Sequence, residues 1–81
     1  MIVRVLLFAE VRERVGTGEI SLEMLPSGRV ADLRSLLSQT YPRVAEMLPR
    51  CQIARNGVLV TDAEELHLGD ELAVLPPVSG G

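Results

Sequence analysis

One amphipathic helix limits the folds that this chain can adopt more than any other feature. The stretch 30–40 carries a clear apolar stripe at helical spacing. A chain of 81 residues forms one domain with a small core, which buries about 60% of the surface of the unfolded chain. We therefore expect this helix to cover one face of a sheet. The stripe consists of Val30, Leu33, Leu36 and Leu37.

The ends of this helix have their own signals. Ser27 is a candidate N-cap, and Asp32 lies in the first turn, where the helix dipole favours an anion. Pro42 prevents the helix from continuing past Tyr41. A shorter helical stretch, AEVRERVG, ends at Gly16, which suits a left-handed C-cap.

Four segments read as strands. Residues 2–8 are mainly aliphatic and β-branched, with Val3, Val5 and Leu7 on one face and Arg4, Leu6 and Phe8 on the other. The stretch GEISLEML alternates as an edge strand does. CQIARNGVLV is typical of a hairpin that turns at Asn56-Gly57, and ELAVL forms the last strand.

This order of elements predicts an α+β fold. A mixed sheet of four to five strands would pack on one main helix, as in the β-grasp, or ubiquitin-like, arrangement. The first and last strands are rich in Val and Leu, so we place both in the centre of the sheet. We predict a β-grasp domain at 1–75 and an extended C-terminal tail at 76–81.

Composition narrows the class of protein. No window approaches the ~20 apolar residues of a membrane span, and the N-terminus lacks the pattern of a signal peptide. The single cysteine excludes an internal disulfide, so we expect a cytoplasmic protein. A net charge of −3 argues against nucleic acid as a partner. All eight basic residues are arginines, so no lysine side chain is present to accept an isopeptide bond.

Side-chain catalysis has little support. His67 is the only histidine, so neither a histidine-rich metal site nor a conventional triad can form in one chain. Cys51 begins an apolar strand, where a cysteine usually acts as a small hydrophobic residue. The acidic pairs 64–65 and 70–71 lack the spacing of a calcium loop and are expected to be solvated, with Asp70 holding a turn. We predict no metal site and no bound cofactor.

The C-terminal carboxylate is the remaining candidate. Gly80 and Gly81 have no Cβ and make a thin thread, while Pro76 and Pro77 favour extended geometry. At ~3.3 Å per residue, residues 76–81 reach about 20 Å, enough to enter a partner's active site. A carboxylate becomes reactive after adenylation with ATP, and sulfur attack would then give a thiocarboxylate. A frayed terminus without function is the alternative.

Three stretches resemble a known family. LLFAEVRERVG, RVADLRSLLSQTYP and LGDELAVLPPVSGG, together with the length, look like the small subunit of molybdopterin synthase. The resemblance implies that a partner related to ubiquitin-activating enzymes adenylates the tail with ATP and that a sulfurtransferase supplies sulfur. The large synthase subunit would then receive the tail in a heterotetramer with two copies of each subunit. There, sulfur would pass to cyclic pyranopterin monophosphate.

The resemblance also implies roles for individual residues. Gly81 would be adenylated and then sulfurated, with Gly80 as its slim neighbour. Phe8, Arg12 and Leu75 would contact partners, although ordinary core packing is the alternative for Phe8. The inserted tail would comprise Pro76, Pro77, Val78, Ser79, Gly80 and Gly81.

Three other functions stay open. The chain is also compatible with a sulfur carrier of another pathway, such as thiamine synthesis, or with a ubiquitin-like modifier attached to other proteins. An interaction module with an idle tail is the third possibility.

Overall fold

The computed structural model describes residues 1–77. Their order of elements agrees with the sequence pattern, and two 3-10 turns, Pro42–Val44 and Leu48–Arg50, follow the long helix. The strands and helices are β1 (Ile2–Leu7), α1 (Ala9–Val15), β2 (Glu19–Glu23), α2 (Val30–Thr40), β3 (Gln52–Arg55), β4 (Val58–Val60) and β5 (Glu71–Leu75).

The five strands form one mixed sheet in the order β2-β1-β5-β3-β4. β1 and β5 are parallel, and the other neighbouring pairs are antiparallel. The last strand thus lies in the middle of the sheet with the first strand beside it, as predicted, and β2 is at an edge. The β-grasp fold class is confirmed.

The core lies between the sheet and α2. Val3, Val5 and Leu7 of β1 are at most 1% exposed, which confirms the predicted inner face. From α2, Leu33 and Leu37 are equally buried, whereas Leu36 packs at the margin of the core. The largest fully buried side chains are all Leu, Ile or Val, and burial of such apolar side chains is the main source of stability in the fold.

The predicted N-cap of α2 is wrong. The N-cap is Arg29, and Ser27 lies two residues before it. Ser27 has a left-handed backbone (φ 66°) in the turn that precedes the helix. The Asp32 carboxylate accepts a hydrogen bond of 2.8 Å from the Arg29 backbone N–H instead. The C-cap at Gly16 of α1, with φ 96°, is confirmed.

A polar cluster holds the start of β5. The Asp70 carboxylate accepts hydrogen bonds from the His67 backbone N–H at 2.7 Å and from the Asn56 side-chain amide at 3.0 Å. The Asn56 amide oxygen accepts in turn from the Glu71 backbone N–H at 2.9 Å. The hairpin turn at Asn56 and Gly57 (φ 50° and 84°) is thereby tied to the middle strand, and the predicted turn role of Asp70 is confirmed.

These contacts also set the acidity of Asp70. Partial burial alone would raise the pKa of its carboxyl group. The hydrogen bonds from His67 and Asn56, together with the nearby Arg55 guanidinium, outweigh burial and lower the pKa. Asp70 is therefore charged in the folded protein at neutral pH.

No helix within residues 1–77 is long and apolar enough to cross a membrane.

Candidate functional site: the base of the C-terminal tail

The middle strand carries the chain to the predicted tail. β5 is paired on both sides, with β1 and β3, and ends at Leu75. Pro76 is half-buried and Pro77 is exposed. The predicted site residues Val78, Ser79, Gly80 and Gly81 lie outside the described residues, so the structure locates the base of the tail and no more.

A groove of about 770 Å³ opens at this base. Three parts of the chain meet at this groove: the β1–α1 junction, the segment that leads from the second 3-10 turn into β3, and the end of β5. Most of its lining is apolar. The lining residues are Phe8, Ala9, Glu10, Met47, Arg50, Gln52, Leu75, Pro76 and Pro77.

Phe8 reaches the groove because it follows β1. Strand alternation turns Leu7 into the core and Phe8 to the opposite face, and the Phe8 side chain is 42% exposed. Ala9 then adopts a left-handed conformation (φ 49°), which turns the chain into α1. The structure therefore contradicts ordinary core packing for Phe8, and its contact with a partner stays a prediction.

Leu75 adjoins an apolar outer face of the sheet, which we define as the row Leu6, Ala73, Ala54 and Leu59. Leu6 lies opposite Ala73 across β1 and β5, and Ala54 lies opposite both Ala73 and Leu59. Leu59 is 56% exposed, although Ala54 is covered by its neighbours. Leu75 thus lies in the groove and next to a row of apolar residues that crosses four strands.

Arg12 lies apart from the groove. It is exposed on α1, and its guanidinium packs over Gly18, where an added Cβ would come within 3.3 Å of Cζ and Nε. Gly18 therefore leaves room for the arginine side chain. Of the predicted partner contacts, the structure brings Phe8, Leu75, Pro76 and Pro77 together and places Arg12 elsewhere.

Sequence reasoning missed Arg50 and Gln52. Gln52 lies opposite Leu75 in the β3–β5 pairing, and Arg50 is two residues before it, at the end of the second 3-10 turn. The signal was the predicted hairpin: pairing its first strand with the last strand would have placed both residues beside the tail.

Other reactive side chains have structural roles or face solvent. Cys51 is buried, its thiol donates to the Met47 carbonyl at 3.3 Å, and burial raises its pKa, so it is a poor nucleophile. His67 is exposed. Among residues 1–77, no group of three or more His, Cys, Asp or Glu side chains is placed to hold a metal ion.

Known proteins match this chain over its whole length. A sequence model of the ThiS family matches residues 5–81. The molybdopterin synthase sulfur carrier subunit of Chlamydomonas reinhardtii is 35% identical, with both chains covered in full. Small archaeal modifier protein 1 of Haloferax volcanii is 30% identical over 93% of this chain and 95% of the relative.

A solved complex adds a structural comparison. It contains subunits 1 and 2 of the molybdopterin-converting factor from Helicobacter pylori 26695. The matching chain superposes on this one with a TM-score of 0.73 and 29% identity, and each chain is covered in full. The likeness therefore includes a protein solved together with its second subunit.

Proposed function

We propose that this chain, which belongs to the ThiS family, is the sulfur carrier subunit of a molybdopterin synthase. The full-length similarity to a molybdopterin synthase sulfur carrier subunit carries the proposal. The fold supports it, because β5, the middle strand of the sheet, leads directly into the base of the tail.

The chemistry takes place at the Gly81 carboxylate. A carboxylate oxygen attacks the α-phosphate of ATP on a partner adenylating enzyme, pyrophosphate leaves, and an acyl adenylate forms. Sulfide supplied by a sulfurtransferase system then attacks the acyl carbon, AMP leaves, and a thiocarboxylate is formed. The thiocarboxylate is ionised at neutral pH and retains the nucleophilicity of sulfur. The large subunit uses it to build the dithiolene on cyclic pyranopterin monophosphate.

This division of labour agrees with the side chains of the chain itself. Cys51, its one thiol, is buried with a raised pKa, and a lysine amine is absent from the sequence. Neither group therefore competes for the activated glycine. The proposed contribution of this chain is a rigid base, a thin tail and the terminal carboxyl group, while catalytic side chains belong to its partners.

The large subunit is the partner with the most direct support. The Helicobacter pylori protein that this chain resembles was solved in complex with subunit 2 of the molybdopterin-converting factor. We extend that assembly to this chain and propose two copies of each subunit, because each dithiolene requires two sulfur atoms.

Two measurements test the function. After the protein is purified beside its adenylating and sulfurating enzymes, intact mass spectrometry should show one oxygen replaced by sulfur, and fragmentation should place the change at Gly81. The loaded protein, mixed with a large subunit and the precursor pterin, should yield molybdopterin. A sulfurated tail that yields no molybdopterin would instead support a carrier of another pathway.

A protein modifier is the second candidate, and the similarity to small archaeal modifier protein 1 favours it. The same acyl adenylate permits transfer to an amine of another protein. Because the chain has no lysine, it cannot build isopeptide-linked chains of itself. Conjugates that appear in cell extract with the intact chain, and disappear when Gly81 is deleted, would establish this role.

A further inference from the structure

We propose that the groove at the base of the tail is a docking site for an acidic segment of the large synthase subunit, and that a carboxylate of this segment pairs with Arg50. The inference rests on the proposed function and specifies the chemistry of the partner's surface. It concerns a residue that forms no part of the tail itself.

The charge of Arg50 is the first observation. Arg4, Arg14, Arg34 and Arg55 each have a carboxylate within 4.0 Å. Arg50 is exposed and, like Arg12, Arg29 and Arg43, has none among residues 1–77, but of these four arginines only Arg50 lines the groove. The only acidic residue that lines the groove, Glu10, is paired with Arg14 at 2.8 Å. Within the described residues, the groove therefore presents one uncompensated positive charge.

The apolar lining makes this charge selective. Phe8, Leu75, Pro76 and Met47 border the groove, so a partner that covers them also removes water from around Arg50. Charge pairs gain strength as the local dielectric falls, and a buried cation without a partner is costly. The groove thus favours an apolar side chain next to Asp or Glu and disfavours a purely apolar or a basic segment.

The position of the groove favours a partner that receives the tail. Pro77, the residue immediately before the predicted inserted segment, lines the groove together with Arg50. A subunit that takes Gly81 into its active site must approach along this proline and therefore over the groove. The adenylating enzyme is also proposed to receive Gly81, but we assign the groove to the large subunit, because a protein that this chain resembles was solved in complex with its second subunit.

Charge reversal tests the proposal. We compare binding of the large subunit to the intact chain and to Arg50→Ala, Arg50→Lys and Arg50→Glu. We expect about tenfold weaker binding for the alanine variant and about 100-fold for the glutamate variant, with lysine close to the natural residue. Added salt should weaken binding of the intact chain more than binding of Arg50→Ala.

Arg43→Glu is the matched control. Arg43 is exposed on the first 3-10 turn, outside the groove, and its side chain has no carboxylate within 4.0 Å among residues 1–77. This variant makes the same change in net charge and should alter Kd less than about twofold. Thermal unfolding of every variant, followed by circular dichroism, verifies that the fold is retained.

The outcomes separate this inference from the proposed function. If Arg50→Glu binds as tightly as the intact chain while molybdopterin still forms, the docking proposal is wrong and the function stands. If Phe8→Ala weakens binding and Arg50→Glu does not, the groove binds an apolar segment without a charge pair, which also overturns it. An effect of Arg50→Glu on self-association alone, measured by sedimentation, would assign the groove to a second copy of the chain. If no variant and no intact chain supports molybdopterin formation, the function itself is wrong.

Discussion

Replacing Asp70 by alanine tests whether the polar cluster before β5 stabilises the strand that leads to the tail. The Asp70 side chain is about 10% exposed and accepts hydrogen bonds from His67 and Asn56. Alanine removes both acceptors and leaves a backbone N–H and a side-chain amide without their partner. We expect a lower free energy of unfolding with little change in the aliphatic core.

The magnitude follows from these contacts. A hydrogen bond to a charged group contributes about 1.5–3 kcal/mol. The Arg55 guanidinium, 4.0 Å from the carboxylate, adds little at that distance, and the His67 backbone N–H, whose hydrogen bond is only partly buried, regains part of its loss from water. Two bonds near the lower limit give about 3 kcal/mol. In a domain of this size, such a loss lowers the melting temperature by about 12–24 °C.

Urea unfolding, followed by circular dichroism, measures this loss. Glu65→Ala is a suitable control, because Glu65 is exposed in the same connection and its carboxylate makes no hydrogen bond or ion pair within residues 1–77. It should change the free energy of unfolding by less than about 0.5 kcal/mol. A loss below about 1 kcal/mol for Asp70→Ala, or equal losses in the two variants, would refute the reasoning.

Three further predictions address pH, the core and the tail. Because contacts in the fold lower the pKa of Asp70, its contribution to stability is present above the unfolded pKa of about 3.9 and is lost as the pH falls through the lower folded value. In Asp70→Ala, the free energy of unfolding should therefore decrease less between neutral and acid pH than it does in the intact chain. Leu33→Ala, at a fully buried position of α2, should lower the free energy of unfolding by about 2–5 kcal/mol, measured by urea unfolding. Ser35→Ala, on the exposed face of the same helix, should change that free energy little. One residue added after Gly81 should abolish sulfuration, detected by intact mass, without altering the melting temperature; sulfuration that persists would contradict the role of the terminal carboxylate.

The fold was predictable because each element had a local signal. Strand alternation identified the inner face of β1, helical spacing identified α2, and Asn56-Gly57 identified the β3–β4 turn. The cap of α2 was not predictable in the same way. A serine near a helix start is a common cap, but Ser27 occupies a left-handed turn, and Asp32 binds the Arg29 backbone N–H from inside the first turn.

The site was only partly predictable, because a groove depends on which strands are neighbours. Leu75 and the two prolines could be identified because they adjoin the tail in sequence, and Phe8 could be identified from the family resemblance. Arg50 and Gln52 are far from the tail in sequence and reach it through the antiparallel pairing of β3 with β5. The hairpin could be recognised from its local pattern, but its pairing with the last strand is a long-range contact that the local pattern does not specify.

The position of β5 also explains why the base of the tail suits a carrier. At ~3.3 Å per residue, the five residues of β5 span about 17 Å, from the Asp70 cluster at one end to the groove at the other. Pairing with β1 and β3 fixes the strand along this length, so a partner does not have to order it. Ordering the backbone costs about 1–2 kcal/mol per residue, and a strand that is already fixed up to Leu75 adds none of this cost when a partner binds. Arg50 and the apolar lining of the groove lie where this fixed base ends, so a partner that binds there contacts a surface that is already ordered.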